Sequence, residues 1–325
     1  MIVRKVTGGI LGLAIGDALG VPVEFSARET LQRFPVVDMR EFGVHHQPQG
    51  TWSDDSSMAF CIAESLIEKK TIDLQDIANR FCRWYTESYM TPHGRVFDIG
   101  NTTQHVIGRL LRGTPPEKSG DDDENANGNG SLMRTLPLTF ILKNEPDIEK
   151  RFAAVAAVSA ITHAHPRSLI ACFYYIEFAL QLLDEYDKFD IFYKLQTTIG
   201  EFLDKKGFTK EKAKFSRLLE GDIHRLYEDS IRSSGYVLHT LEASIWCLLT
   251  SNTYAETVLK AVNLGSDTDT TGAVVGGLAG ILYGETGIPD EWKAQLVKSE
   301  DIWEMGERLF AVFEWKGTPQ YKGRF

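Results

Sequence analysis

Cysteine is scarce in this 325-residue sequence, and the few cysteines form no recognisable motif. No Cys-x-x-Cys pair and no Cys/His cluster occurs, and the thiols are widely separated in mostly apolar surroundings, at Cys61, Cys82, Cys172 and Cys247. This pattern argues against a disulfide framework. It favours reduced thiols in the core of a cytoplasmic protein.

Long hydrophobic runs are also absent. The most apolar segment, Leu169–Leu183, contains Glu177 and Gln181, and it is shorter than the roughly 20 residues that a membrane span needs. The first residues, Met1–Lys5, lead directly into a glycine-interrupted stretch without a recognisable signal-peptide cleavage site. We therefore expect a soluble protein without a membrane partner.

Positive charge is in deficit. Lys and Arg total 35 against 45 for Asp and Glu, which gives a formal net charge of −10. A chain this acidic lacks the basic surface that binds nucleic acid backbones or anionic lipids, so its charge indicates neither of these partners. An anionic small molecule would have to be held by a local feature such as a metal ion, a helix N-terminus or a single arginine.

Helical periodicity, in contrast, is abundant. In Leu74–Tyr85 the apolar residues recur every three or four positions, which predicts an amphipathic helix. Similar stripes occur in Met58–Ile67, Val106–Leu111, Phe152–Ile161, Val237–Leu249 and Ile302–Phe313. Because no stretch shows sustained alternation of apolar and polar residues, we predict an all-α protein with roughly a dozen helices.

Two short acidic clusters lie far apart in the chain, each directly before an apolar helix. The first is Gly50–Ala59 (GTWSDDSSMA), and the second is Gly265–Ala273 (GSDTDTTGA), followed by a helix expected over Ala273–Tyr283. Ser and Asp are favoured at helix N-termini, so either cluster alone is compatible with a simple cap. Together they offer carboxylate and hydroxyl oxygens without His or Cys, which favours Mg²⁺ or Mn²⁺ over Zn²⁺.

The charge of these clusters points to two metal ions. Two divalent cations would cancel the −4 carried by Asp54, Asp55, Asp267 and Asp269. Without metal, two carboxylates ~4 Å apart repel by about 4 kcal/mol at an effective dielectric constant of about 20. The clusters must then meet in space, which predicts a single domain over residues 1–325 rather than a division at the polar loop Gly113–Gly128.

Seven segments spread along the chain, among them both acidic clusters, resemble the ADP-ribosylglycohydrolase family. They are Gly8–Glu24 (GGILGLAIGDALGVPVE), Gly50–Ala59, Asp98–Thr103 (DIGNTT), Gly128–Pro137 (GNGSLMRTLP), Thr162–Pro166 (THAHP), Gly235–Leu241 (GYVLHTL) and Gly265–Gly284. The resemblance implies a compact all-α fold around a binuclear Mg²⁺ or Mn²⁺ site. The ligands carried over by position are Ser53, Asp54, Asp55, Asp267, Asp269 and Thr270.

The resemblance also implies a substrate site on the remaining segments. The turn Gly128–Ser131 precedes a helix, and its amides could cradle a diphosphate, with a simple flexible turn as the alternative. Tyr236 resembles the family's aromatic residue that stacks on adenine, with a core role as the alternative. His163 is either a substrate contact or structural, and Arg134 pairs either with an acid or with phosphate. The residues assigned to substrate binding are Asn101, Gly128, Asn129, Gly130, Ser131, Met133, His163 and Tyr236.

Glu24 and Asp98 are the candidates for proton transfer. Glu24 follows the apolar segment Gly8–Gly20 and could reach a pocket, or it could be a surface acid after Pro22. Asp98 begins the segment that resembles the arginine-directed bacterial branch of the family. Some family members carry the catalytic carboxylate at the position of Glu24, so both residues stay candidates.

The function implied is that of a metal-dependent hydrolase that removes ADP-ribose from a modified acceptor. The acceptor stays open: it is a protein side chain such as arginine or serine, a small ADP-ribosyl ester, or the end of a nucleic acid, which is expected only in this role. The transition state would resemble an oxocarbenium ion, with the metals orienting the ribose and activating water. Two alternatives stay open. One is a non-catalytic ADP-ribose-binding or crystallin-like member, and the other is a hydrolase of the pyrophosphate or of another ADP-ribosyl or N-glycoside bond.

Overall fold

Helices provide the regular secondary structure of this chain. The computed structural model describes residues 2–184 and 186–313. In chain order its α-helices are α1 Ile2–Gly20, α2 Arg28–Arg33, α3 Asp54–Lys69, α4 Leu74–Glu87, α5 Asn101–Leu111, α6 Leu138–Leu142, α7 Ile148–Ser159, α8 Pro166–Leu183, α9 Lys188–Lys205, α10 Thr209–Lys212, α11 Ser216–Leu219, α12 Val237–Leu249, α13 Tyr254–Val262, α14 Thr268–Tyr283, α15 Asp290–Gln295 and α16 Ser299–Val312. Within the described ranges there is no β-strand, only isolated bridges. The predicted all-α fold is confirmed.

The longer helices follow the apolar stripes of the sequence. Eleven of the sixteen helices have nine residues or more, close to the dozen expected, and the other five have four to six. The stripe in Leu74–Tyr85 lies within α4, where Ile77, Phe81 and Trp84 are buried. An Asp73 cap, which accepts a hydrogen bond from the N–H of Asp76, fixes the start of this helix.

The two helices at the centre of the fold, α1 and α14, pack antiparallel with their backbones in contact. Glycines at four-residue intervals make this possible, because a Cβ at Gly16 would lie only 2.0 Å from the carbonyl oxygen of Gly272. The same close approach recurs along the pair at Gly12 with Gly276 and Gly8 with Gly280. A glycine inside a helix costs roughly 0.5–1 kcal/mol relative to alanine. That cost is offset here by an interhelical contact that no larger residue would permit.

This contact brings an N-terminal and a C-terminal part of the chain together. A Cβ at Gly20, the last residue of α1, would lie 2.3 Å from the backbone nitrogen of Asp269 in α14. The start of α3 is held at the same place, because Asp17 of α1 accepts hydrogen bonds from the backbone N–H groups of Ser53 and Ser56. Three helix ends therefore meet beside the acidic residues.

The apolar character of α1 is accounted for by burial. The expectation that no apolar run reaches membrane-spanning length is wrong for Ile2–Val23. This segment is long and apolar enough to cross a membrane by length and composition, and all of its most apolar window is buried inside the fold. It packs mainly against α14 and α16. Such a profile is that of a central core helix.

The polar loop expected at Gly113–Gly128 is irregular apart from a short 3-10 turn, Pro116–Lys118. Two of its acidic side chains are paired, Asp121 with Arg109 at 2.6 Å and Glu124 with Arg167 at 2.7 Å. The backbone N–H of Asp121 also donates to the carbonyl of Thr162. These contacts connect the loop to α5 and to the beginning of α8.

Candidate metal centre and adjoining cavity

The first acidic cluster forms the N-terminus of α3. Ser53 caps this helix, since its Oγ accepts a hydrogen bond from the N–H of Asp55 at 3.2 Å. The hydroxyl also lies 3.3 Å from Oδ2 of the same Asp55. Asp54 and Asp55 occupy the first helical turn, where the helix dipole favours carboxylates, and both are buried.

The second cluster forms the N-terminus of α14. This helix begins at Thr268 rather than at the expected Ala273, so Asp269 and Thr270 lie in its first turn. Asp267 precedes the helix, and its Oδ2 accepts a hydrogen bond from the Asn129 side-chain amide at 2.9 Å. The cluster is therefore anchored to the glycine-rich turn around Asn129.

The structure brings the two clusters together. Carboxylate oxygens of Asp55 and Asp269 lie within 4.8 Å of each other and of Asp17. Asp267 is a further carboxylate near this group, and its negative charge contributes to the raised pKa of Asp55. The helix contact between α1 and α14 is the physical cause of this convergence.

Three buried carboxylate oxygens of the clusters accept no hydrogen bond within the described part of the chain, namely Asp55 Oδ1, Asp267 Oδ1 and Asp269 Oδ2. Burial, and then the charges of neighbouring carboxylates, raise the pKa of Asp54, Asp55 and Asp269 well above its ordinary value. Buried polar atoms are normally satisfied, and unpaired buried charges are costly. The unsatisfied oxygens and the all-oxygen donor set together fit a hard divalent cation such as Mg²⁺ or Mn²⁺.

Asp17 belongs to the same cluster of carboxylates but is fully hydrogen-bonded. Its Oδ1 accepts from the N–H of Ser53, and its Oδ2 accepts from the N–H and the hydroxyl of Ser56. Burial raises its pKa to about 6, and these hydrogen bonds oppose the shift. Asp17 therefore positions the start of α3. Sequence reasoning missed it, although it is the sole charged residue of Gly8–Gly20.

Glu24 and Asp98 lie together at the edge of the clusters, with His45. One atom from each of these residues lies within 4.8 Å of the others and of Asp269. The Glu24 carboxylate contacts Nε2 of His45. Burial raises the pKa of Glu24 to about 7, and burial also raises the pKa of Asp98. The sequence carried no signal for His45, which comes from a loop without a family segment.

A cavity of about 360 Å³ opens onto these groups. Most of the predicted site residues line it, namely Glu24, Asp54, Asp98, Asn101, Gly128, Asn129, Gly130, Met133, His163, Asp267 and Thr270. Ser53, Asp55 and Asp269 are buried and do not contribute to its lining. The cavity is thus lined by carboxylates, by the glycine-rich turn and by the segment that begins α5.

The glycine-rich turn lines the cavity without opening a helix. The next helix, α6, begins only at Leu138, so the expectation that a helix follows the turn directly is wrong. The backbone N–H of Asn129 donates to the carbonyl of Gly235 at 3.0 Å and is not free for an anion. The Ser131 side chain is buried away from the lining, against the Ser159 hydroxyl and the Cys172 thiol.

Within the described residues Arg134 forms no ion pair with an acid, and it does not belong to the cavity lining. It is fully buried and donates to the carbonyl of Gly130 at 2.9 Å and to the Thr162 hydroxyl at 2.6 Å. Its guanidinium also lies 4.7 Å from the centroid of the Phe81 ring. Arg134 therefore stabilises the glycine-rich turn through its hydrogen bond to the Gly130 carbonyl.

Burial and the nearby Arg134 lower the pKa of His163 to about 3, so this imidazole at the cavity wall is neutral.

Tyr236 lies outside this cavity, on its immediate border. Its backbone is bridged to Gly128, and its ring lies 4.9 Å from that of His239. The side chain lines a neighbouring cavity of about 450 Å³ together with Arg232. The predicted nucleotide-stacking residue is thus adjacent to the carboxylate cavity but does not share its lining.

Comparisons with known proteins agree with the segments seen in the sequence. The family model described as ADP-ribosylglycohydrolase matches residues 2–319. The chain is 34% identical over 309 residues to the ADP-ribosylarginine hydrolase Tri1 of Serratia proteamaculans, which covers 94% of this chain and 79% of that protein. It is 30% identical to the ADP-ribosyl-(dinitrogen reductase) glycohydrolase of Rhodospirillum rubrum, covering 90% of each. A solved structure described as an ADP-ribosylglycohydrolase-related protein complex superposes with a TM-score of 0.78 at 30% identity, over 96% of this chain and 98% of that one.

Proposed function

The chain belongs to the ADP-ribosylglycohydrolase family, and we propose that it is a metal-dependent enzyme that hydrolyses the bond between the ribose anomeric carbon of ADP-ribose and a modified arginine side chain. Membership of a hydrolase family gives the enzyme class. The acceptor, the metal ions and the residue roles are our proposal. The arginine acceptor is supported by the relative named as an ADP-ribosylarginine hydrolase, and a protein acceptor is supported by the relative named for ADP-ribosylated dinitrogen reductase.

The observation that carries this proposal is the convergence of two buried carboxylate clusters with unsatisfied oxygens. Two Mg²⁺ or Mn²⁺ ions would be held by Ser53, Asp54, Asp55, Asp267, Asp269 and Thr270. Bound there, the ions would attract the ribose hydroxyl oxygens and favour the ionisation of a water molecule. Asp17 would hold the start of α3, and with it the first ligand cluster, in register.

Glu24 and Asp98 supply the proton chemistry in this proposal. Both line the cavity, and a carboxylate whose pKa is about 7, as for Glu24, can hold or release a proton near neutral pH. One of them accepts the proton of the attacking water or donates a proton to the departing acceptor nitrogen. The remaining carboxylates favour the positive charge that develops on the ribose ring.

The substrate contacts are proposed along the rest of the lining. The sugar and the diphosphate would contact Asn101, Met133, His163 and the backbone of Gly128–Gly130. Because His163 is neutral, it would contribute hydrogen bonds but no positive charge to the diphosphate. Tyr236 would contact the adenine from the neighbouring cavity. We further propose that residues 1–325 form one domain and that the protein is cytoplasmic.

The proposal is tested with an acceptor panel. Proteins or peptides modified on arginine or on serine are incubated with the enzyme in Mg²⁺, in Mn²⁺ or in EDTA, and products are identified by mass spectrometry. We expect intact ADP-ribose to be released from arginine in the presence of metal only. No release from any acceptor, full activity in EDTA, or AMP as the product would each contradict it.

The two acid–base candidates are separated by matched amide variants. Glu24→Gln and Asp98→Asn keep the shape of the side chain but remove its ability to exchange a proton. The residue that transfers the proton should lose roughly 100-fold or more in kcat, the usual scale for general acid–base catalysis. If both variants keep the wild-type kcat, the proton chemistry is assigned to the wrong residues.

A further inference from the structure

Phe25 combines an exposed ring with a backbone conformation that is uncommon for a residue with a Cβ. It directly follows Glu24, its side chain is 68% exposed, and its backbone lies in the left-handed region with φ of 61°. The exposed ring gains little from burial, and the left-handed region is strained for a residue with a Cβ. The N–H of Phe25 donates to the carbonyl of Ser266 at 2.6 Å, which fixes this conformation beside the second acidic cluster. Strain of this kind is typical of ligand-binding sites.

Phe25 lines the 360 Å³ cavity together with Glu24 and Asp98, and it also borders a neighbouring cavity of about 890 Å³. Its centroid lies 6.2 Å from the ring of His45, which in turn lies 5.5 Å from the ring of Phe97. We call these three residues, Phe25, His45 and Phe97, the aromatic wall, and of the three only Phe25 is part of the cavity lining. The wall therefore stands next to the two carboxylates proposed for proton transfer.

The charges around the cavity favour a cation. Carboxylates of Glu24, Asp54, Asp98 and Asp267 line it, whereas its described lining contains neither Lys nor Arg. Metal ions held by the two clusters would neutralise Asp54 and Asp267. Asp98 is then the carboxylate left to attract a cation of the substrate, because the Glu24 carboxylate is already in contact with Nε2 of His45.

A guanidinium group matches both features of this part of the cavity. It is planar, permanently charged and weakly hydrated, so it stacks on aromatic rings and also pairs with carboxylates. A serine acceptor has neither a charge nor a plane and would gain nothing from the wall. The rest of the lining, which includes Asn129, Gly235 and Asp267, is left for the ADP-ribose.

We propose that the aromatic wall, through the Phe25 ring, holds the guanidinium of the modified arginine and determines the preference for arginine-linked over serine-linked ADP-ribose. This inference rests on the proposed function and assigns Phe25 as a specificity-determining residue for it. It makes no use of Phe25 in the chemical step, so its effect belongs in KM and in ligand binding.

The experiment compares Phe25→Ala with a conservative and a matched control variant. Phe25→Tyr keeps the ring, and Phe34→Ala removes a phenylalanine that is 69% exposed but does not line the cavity. With an arginine-linked ADP-ribosyl peptide and Mn²⁺, Phe25→Ala should raise KM by about 10-fold, which is the loss of one cation–π contact. Phe25→Tyr and Phe34→Ala should keep KM close to the wild-type value, and the Kd for free ADP-ribose should stay unchanged in all three.

A binding measurement without turnover separates this inference from the proposed function. Calorimetric titration of the Mn²⁺-loaded protein with methylguanidinium and with methylammonium should give tighter binding of methylguanidinium, lost in Phe25→Ala. If no ADP-ribosyl substrate is cleaved but this Phe25-dependent binding is present, the proposed function fails and the aromatic wall stands. If Phe25→Ala leaves both KM and methylguanidinium binding at wild-type values, or raises KM equally for serine-linked and arginine-linked peptides, the aromatic wall is wrong.

Phe25→Gly controls for folding. Glycine adopts a positive φ without strain, so this variant should show a Tm equal to or above that of the wild type while losing methylguanidinium binding. A lower Tm would mean that the ring supports the fold, and this outcome would overturn the inference.

Discussion

At the scale of single residues, hydrogen-bonding state separates the carboxylates that support the fold from those available to a ligand. Asp17 is buried, yet both of its oxygens accept hydrogen bonds. Asp55 and Asp269 are equally buried, and each keeps one oxygen without a hydrogen-bond partner in the described chain. The difference makes Asp17 a positioning residue and the other two the stronger candidates for metal ligands.

Removal of one such carboxylate is predicted to separate activity from stability. Asp269→Asn should lower kcat by roughly 100-fold or more, because a metal-ion interaction supplies several kcal/mol to the transition state. In EDTA the same variant should raise the Tm by about 2 °C or more, since a buried like-charge repulsion is removed. Enzyme kinetics and thermal unfolding followed by circular dichroism measure the two effects.

The control for this prediction is Asp122→Asn, because Asp122 is an exposed acid of the loop before α6. It should change neither kcat nor Tm. Wild-type turnover by Asp269→Asn would remove Asp269 from the ligand set.

The same residues illustrate what a sequence can and cannot reveal. Paired acids at two helix starts are visible as Asp54–Asp55 and Asp267–Asp269, because metal ligands of one cluster are close in sequence. Asp17 is also visible in the sequence as a lone charge in an apolar segment. Its hydrogen bonds to Ser53 and Ser56 at the start of α3 are not, because they join residues that are far apart in the chain. His45 reaches Glu24 only through tertiary folding, and no local pattern encodes such a contact.

At the scale of elements, the antiparallel pair of α1 and α14 positions the candidate site. Their glycines allow backbone contact, which places the end of α1 against Asp269. The glycine spacing was present in the sequence, but only the structure shows that the two glycine rows face each other. The length of α14 was underestimated from sequence because its first turn consists of polar residues that are also typical of caps.

Adding a methyl group at this glycine contact is predicted to disrupt both the fold and the site. A Cβ at Gly16 would lie 2.0 Å from the Gly272 carbonyl oxygen and 2.5 Å from its carbonyl carbon, which are backbone atoms that cannot rotate away. Gly16→Ala should therefore lower the free energy of unfolding by about 3 kcal/mol or prevent folding, the scale of severe overpacking. Chemical denaturation measures the change.

Gly108→Ala is the matched control for this helix contact. Gly108 lies inside α5, and the nearest atom to a Cβ there is 3.5 Å away, at the end of the flexible Arg112 side chain. The substitution should leave stability unchanged or increase it by roughly 0.5–1 kcal/mol, because alanine is the better helix former. Equal effects of the two substitutions would show that the glycine contact has no special role.

At the scale of the whole molecule, the net charge of −10 and the carboxylate-rich cavity predict that the stability of the fold depends on bound cations. An acid whose pKa is raised by folding binds protons more tightly in the folded state. Its contribution therefore favours the fold at low pH and is lost as the pH rises from the unfolded pKa through the folded one. Asp17, with a pKa of about 6, and Glu24, with a pKa of about 7, put this loss between about pH 4 and pH 7.

The metal-free protein is thus predicted to become less stable as the pH rises over this range. In EDTA the Tm should fall between pH 5 and pH 8 by several degrees more than it does in Mn²⁺, because bound cations compensate the ionised carboxylates. Exposed groups with lowered pKa, such as Glu124 and Asp290, contribute equally under both conditions and cancel in the comparison. Parallel Tm profiles with and without metal would argue that the clusters hold no cation.

Anomalous diffraction from crystals grown with Mn²⁺ tests the central claim most directly, because it locates the ions in relation to both clusters. The account predicts two Mn²⁺ peaks about 3.5–4 Å apart, the spacing of binuclear sites. At least one oxygen from Asp54 or Asp55 and one from Asp267 or Asp269 should coordinate this pair of ions. An absence of Mn²⁺ at the clusters, or ions bound to one cluster alone, would contradict the account.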